Sequence, residues 1–249
     1  MNKNDFFLNR HSFRNFSDKE VSEELLNSIL TRALKAPTTG NMQLYSVIVN
    51  RNPEMLERLA PTHFSQPASK NAKVLLTVCA DFNRFTRWCR INNADAGFDN
   101  FLSFFSASAD ALILAQQIVT IAEMEGLGTC YLGTVTYNAR QIAEILELPE
   151  LVVPVACIAL GWPEGEPEIT ERLGLDAVVH DEKYRRDSDD EIVNLFKVKD
   201  DYPANRKFVE ENDKDNLAQV FAEVRYPRQM NEDFSKAFLE FLKSQNFLK

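Results

Sequence analysis

Phe101-Leu102-Ser103-Phe104-Phe105-Ser106-Ala107-Ser108-Ala109-Asp110-Ala111-Leu112-Ile113-Leu114-Ala115-Gln116-Gln117-Ile118-Val119-Thr120-Ile121-Ala122-Glu123-Met124-Glu125 is the longest helical signal in the chain. Alanines, serines and aliphatic residues dominate it. Apolar residues fall on nearly every face, so the pattern predicts a buried helix. At about 1.5 Å per residue it crosses most of a domain. Its small side chains allow close packing, which suits a domain core or a subunit interface. Gly126 and Gly128 end it.

The segments around it read as strands. Val74-Leu75-Leu76-Thr77-Val78-Cys79-Ala80 is almost continuously apolar and predicts a buried central strand. Residues 44–49, 129–133 and 152–161 predict further strands. Pro154, near the start of the last, is expected at an edge or first position. Short helices are expected over 3–9, from Asn52, and over 139–147 before Pro149. Ser17 and Glu20 have capping-box spacing, which predicts a helix from about residue 18 to Ala36-Pro37. Residues 81–100 read as irregular. Their Phe82, Phe85 and Trp88, interleaved with Arg84, Arg87 and Arg90, form either a lid over a planar ligand or a partner-contacting loop. After residue 163, charged and proline-bearing segments replace strands, with helices expected near 213–224 and 232–245. This tail has too few apolar residues to fold alone.

The chain has 249 residues, 45% of them hydrophobic, enough for a sizeable core. Its net charge of −9 argues against nucleic acid as a partner. Cys79, Cys89, Cys130 and Cys157 make no CxxC pair and read as reduced packing residues. With only His11, His63 and His180, no metal site is expected. No apolar run suggests a signal core or membrane span, so the expectation is a soluble, cytoplasmic protein.

Two stretches carry ligand-binding chemistry. Arg10-His11-Ser12-Phe13-Arg14-Asn15-Phe16 places two arginines, a histidine and a hydroxyl within five residues. Such a cluster matches a dianionic phosphate, or it is a solvated basic turn. Pro37-Thr38-Thr39-Gly40-Asn41-Met42-Gln43 is small, polar and donor-rich. It lets the backbone approach a ligand closely, or it simply connects helix to strand.

Four stretches in order resemble the signatures of the FMN-dependent nitroreductase and flavin reductase family, and are most similar to its oxygen-insensitive NADPH nitroreductase branch. They are Arg10–Phe16, Ala36–Gln43, Glu125–Gly133, and Leu148-Pro149 with Leu160-Gly161-Trp162-Pro163. The resemblance covers roughly residues 8–185. It implies an α+β three-layer sandwich, with a mixed, mainly antiparallel sheet flanked by helices, in an intertwined homodimer. Residues 1–185 would form the FMN-binding domain, and 186–249 a helical extension packed on the dimer.

The resemblance further implies FMN as cofactor, NADPH or NADH as electron donor, and ping-pong hydride transfer to nitroaromatics, quinones or free flavin. Reductive dehalogenation and a non-catalytic flavin-binding module are the competing functions. By match of position, Arg10, His11, Ser12 and Arg172 would serve the FMN phosphate and ribityl chain, and Arg14 the flavin N1/O2 edge. Thr38, Thr39, Gly40 and Gln43 would contact the ring or ribityl, Asn71 the pyrimidine edge, and Tyr131, Leu132 and Gly133 the face near N5. No side chain is required as a catalytic nucleophile. Relatives carry a lysine where this chain has Thr170, and Asn205-Arg206-Lys207 is what corresponds to their nicotinamide loop.

Overall fold

The computed structural model describes residues 3–166 and 170–248. The elements are α1 (Lys3–Leu8), α2 (Glu23–Ala33), β1 (Tyr45–Asn50), α3 (Pro53–Leu59), α4 (Pro67–Asn71), β2 (Val74–Asp81), α5 (Asn83–Ile91), α6 (Phe101–Met124), β3 (Gly128–Tyr131), α7 (Ala139–Ile145) and β4 (Val152–Gly161). They are followed by α8 (Leu175–Val178), α9 (Asp189–Asp200), α10 (Pro203–Glu211), α11 (Leu217–Gln219) and α12 (Arg228–Ser244). The chain groups into two compact units: Met1–Glu168 with Ser235–Lys249, and Ile169–Phe234.

In the first unit the strands form one sheet in the order β1-β2-β4-β3, antiparallel at each of its three pairings. The expected central strand is central: every residue of β2 is buried. Its side chains alternate between two layers. Val74, Leu76 and Val78 join Ala156, Ile158 and Leu160 of β4 against α2 and α6. Leu75 joins Cys157 and Ala159 on the opposite face, under Leu59, Ala68, Ala72 and Ile142 from α3, α4 and α7. Both faces are covered, which is why these strands are apolar without a polar alternate. The four cysteines are buried and unpaired.

Several local expectations give way to tertiary contacts. Pro154 is not on an edge strand: β4 lies between β2 and β3. The ladder passes from Val78↔Ala156 to Cys79↔Pro154, so a bulge absorbs the position where proline cannot donate. Helix α2 starts at Ser22, whose hydroxyl accepts from Leu25 N, and not at Ser17. The Ser17 N–H is used instead on the Trp162 carbonyl, which keeps this stretch extended. The irregular stretch expected after Asp81 contains α5, seated by Thr86, Cys89 and a cluster in which the rings of Phe82 and Phe98 stack at 4.8 Å. Phe82 is in the core with Phe85 and Phe98 packed against it, whereas Trp88 stays exposed. In the second unit α9 and α10 were not foreseen, although Ser188 and Glu191 form the capping box that opens α9.

Helix α6 is half as buried as its composition predicts. Ala107, Ala111, Leu114, Ala115, Ile118, Val119 and Ala122 pack inward. Phe101, Leu102, Phe105, Leu112, Ile113 and Met124 stay exposed. Among the described residues α6 is the one helix long and apolar enough to cross a membrane. Its packing against β2 and β4 makes it the core helix of this sandwich.

His63 is 1% exposed, its Nδ1 3.0 Å from Thr134 Oγ1. Burial lowers its pKa from 6.5 to about 4. Above pH 6.5 the ring is neutral whether the chain is folded or not. As pH falls toward 4, only the unfolded chain takes up the proton, so stability declines by at most about 3 kcal/mol. The drop in thermal midpoint from about pH 7 to about pH 4.5 should therefore be smaller in His63→Gln than in the native chain. Equal drops would show that His63 is not the sensitive group.

Candidate functional site

The basic N-terminal segment is laid along the β3 edge of the sheet. Phe13 N donates to the Thr129 carbonyl at 3.0 Å, Ser17 N to the Trp162 carbonyl at 2.9 Å, and Glu164 N to the Asn15 carbonyl at 3.2 Å. Two glycines allow this approach. A Cβ on Gly128 would lie 2.8 Å from the Phe13 Cβ, and one on Gly161 3.0 Å from the Phe16 Cβ.

This seating fixes the cationic side chains. Arg10 Nη2 pairs with Glu123 Oε1 of α6 at 3.2 Å, and Thr129 Oγ1 donates to the same oxygen. Arg10 Nε is buried without a partner. His11 Nδ1 lies 2.6 Å from the Asn9 carbonyl, which can only accept, so Nδ1 carries the proton. His11 Nε2 is buried and also without a partner. Ser12 is half-buried beside them, and Arg14 is exposed. Burial raises the Cys130 thiol pKa while Arg14 and Arg10 oppose it, so both cations act on the end of β3. Burial likewise raises the Tyr131 phenol against the opposing charge of Arg10.

Asn71 joins this region: its Nδ2 donates to Asn15 Oδ1 at 3.4 Å, over a cleft also lined by Asp18, Lys70, Lys73 and Glu164. Of the segment after β3, Tyr131 is half-buried and Gly133 is exposed with open space beside it. Leu132 turns inward. It is 1% exposed, and its N–H donates to the Cys157 carbonyl at 2.8 Å. Arg172 belongs to the second unit, where Nη1 donates to Thr170 Oγ1 at 2.7 Å.

The loop before β1 is built differently. Thr38 Oγ1 donates to Asp110 Oδ2 at 2.6 Å, and Thr39 Oγ1 and N donate to Asp110 Oδ1 at 2.8 and 2.9 Å. Gly40, Asn41 and Gln43 adopt positive φ of 54°, 55° and 54°. Arg84 Nη2 closes the far end on the carbonyls of Gln43 and Tyr45 at 2.8 and 2.9 Å. Hydrogen bonds to a charged acceptor contribute about 1.5–3 kcal/mol each. Three of them outweigh the strain of the two non-glycine left-handed residues, about 1–3 kcal/mol each.

Asp110 and Glu123 were not singled out from the sequence, and Arg84 was read as part of a lid or partner-contacting loop and not as a brace for this one. A signal existed for the first two: they are the charged residues within the apolar run of α6. They also measure the separation of the two halves. Loop 38–43 precedes edge strand β1, and the basic segment lies on edge strand β3. Their anchors are 13 residues apart on α6, roughly 20 Å along its axis. One chain therefore brings Arg10, His11, Ser12, Arg14, Asn71 and Tyr131 together, and holds Thr38–Gln43 apart from them.

The α+β sandwich thus seats cationic side chains on one sheet edge and a donor-rich loop with left-handed backbone at the other. The sequence pattern of the Nitroreductase family matches residues 8–162, and the chain belongs to that family. It is 30% identical to the oxygen-insensitive NADPH nitroreductase of Salmonella typhimurium, over 70% of this chain and 71% of that one. It is 29% identical to the FMN reductase (NADPH) of Bacillus subtilis, over 74% of each. A crystal structure of a Bacteroides fragilis NCTC 9343 protein superposes with a TM-score of 0.97 at 43% identity, covering 98% of this chain and all of that one.

Gly128→Ala must push Phe13 off the sheet. Urea unfolding should register a loss of about 1–3 kcal/mol. Gly133→Ala, which meets open space, should stay within about 0.5 kcal/mol of the native chain.

Proposed function

We propose that this chain is an FMN-dependent oxidoreductase that passes hydride from NADPH or NADH to nitroaromatics, quinones or free flavin. The observation that carries the reading is Arg10 Nε, a buried donor without a partner on the basic segment of a nitroreductase-family chain. A buried donor left unpaired is costly, and a phosphate oxygen satisfies it. The residues present thus fit the phosphate end of FMN. When bound, FMN supplies the two-electron relay between nicotinamide and acceptor.

The chain's own groups bind, orient and tune. Arg10, His11 and Ser12 would hold the phosphate end. Arg14 stands at the redox end, where a cation stabilises the negative charge that reduction adds. Asn71 faces the pyrimidine edge. Tyr131 and Gly133 border the ring, and Leu132 supports them from the core. Donor and acceptor use the same cleft in turn, which gives ping-pong kinetics.

We also propose an intertwined homodimer. Loop 38–43 and the basic segment lie on opposite sheet edges, so a ligand touching both draws them from two chains. The exposed apolar residues of α6 supply the contact surface. The unit Met1–Glu168 with Ser235–Lys249 forms the flavin-binding body of a cytoplasmic enzyme.

The purified chain should be yellow, run as a dimer, and oxidise NADPH or NADH steadily in the presence of a quinone or nitrofuran. A colourless protein that also fails to take up added FMN would falsify the proposal. Arg14→Ala should lower the potential of the bound flavin more than Arg10→Ala, as read by dye-equilibrated reduction. Equal potentials would remove the division between phosphate end and redox end.

A further inference from the structure

We infer that Asp110 is the positioning residue of the flavin site, acting through the loop Thr38–Gln43. The inference rests on the flavin reading above and changes what two of its residues do. Matched by position, Thr38 and Thr39 were expected to contact the cofactor. Their hydroxyls are instead committed to the Asp110 carboxylate, which is 2% exposed and sits in the middle of α6. Thr39, Gly40, Asn41 and Gln43 are the exposed residues of this loop, and the Thr39 hydroxyl, its proton given to Asp110, keeps only acceptor capacity toward a ligand.

The loop is tied at three points. Asp110 takes the Thr39 N–H together with both hydroxyls. Thr38 Oγ1, while donating to Asp110, accepts from Gln43 N at 3.0 Å, so the carboxylate also orients the acceptor that closes the loop on itself. Arg84 holds the carbonyls of Gln43 and Tyr45, and is steadied by Ser46 Oγ at 3.2 Å and Asp81 Oδ2 at 3.5 Å. These ties maintain left-handed backbone at Asn41, which tolerates it, and at Gln43, which adopts it at a cost its surroundings must offset. They involve no ligand atom. The chain therefore shapes the loop during folding, and the cofactor meets backbone already in place.

The test compares Asp110→Asn, Thr39→Val and Thr39→Ser with the native dimer, each stripped of flavin and titrated with FMN by fluorescence quenching. Asp110→Asn swaps one acceptor oxygen for a donor facing the threonines. Thr39→Val removes one donor at nearly constant volume, and Thr39→Ser restores it. The expected result is a Kd raised roughly 10-fold or more in Asp110→Asn and Thr39→Val, with a changed visible circular dichroism of the bound flavin and near-native values in Thr39→Ser. Val78→Ala, a core cavity on β2, should lower the melting temperature and leave Kd and dichroism unchanged. Native Kd and dichroism in Asp110→Asn and Thr39→Val would overturn the inference, as would an equal Kd shift in Val78→Ala. If Asp110→Asn does not fold, the Thr39→Val and Thr39→Ser pair decides. A native protein that binds no FMN would instead overturn the flavin reading itself.

Discussion

Strands β2 and β4 are apolar on both faces, and the need to cover both faces places nearly everything else in the first unit. Neither strand is stable in water alone, since its backbone pairing leaves two oily surfaces exposed. Helices α2 and α6 cover one face, and α3, α4 and α7 the other. The layers then fix where polar groups end up. Asp110 and Glu123 sit on the helix that must lie against the sheet, so each must find donors. Asp110 finds Thr38 and Thr39, and Glu123 finds Arg10 and Thr129. A packing constraint thus becomes a pair of anchors for the loop 38–43 and the basic segment.

The two anchors use the same physics toward different ends. Glu123 holds an arginine whose Nε is still unpartnered, so that contact leaves donor capacity unused. Asp110 takes up the hydroxyls of its threonines and leaves the strained backbone between them and Arg84 to face outward. Side chains form one half of the site and backbone the other. Their anchors stay 13 residues apart on α6, and the two segments lie at opposite edges of the sheet.

Much of the layering was legible in the sequence. β2 and β4 were found because uninterrupted β-branched and aliphatic runs bounded by turn residues have few other uses. The basic segment was found because arginine, histidine and serine at close spacing are chemically distinctive. What failed depended on partners far along the chain. The Ser17–Glu20 cap was a sound local pattern that lost to a backbone bond with Trp162. The aromatics after Asp81 were ambiguous because a ring that stacks on a ligand and one that fills a core have the same composition. Pro154 was expected at an edge or first position because a bulge has no signature in a single strand.

The sequence by itself determined the buried strands, the long core helix and, through four ordered motifs, the family, since each follows from local composition and order. Only the tertiary structure decided what the candidate site residues point at. It showed Leu132 turned into the core, Thr38 and Thr39 bound to a buried carboxylate, and the two halves of the site at opposite edges of one sheet. The reason is physical: a hydrogen bond between residues 72 positions apart, as from Thr38 to Asp110, leaves no trace in the residues nearby. It exists only once the core has closed and made water unavailable to both partners.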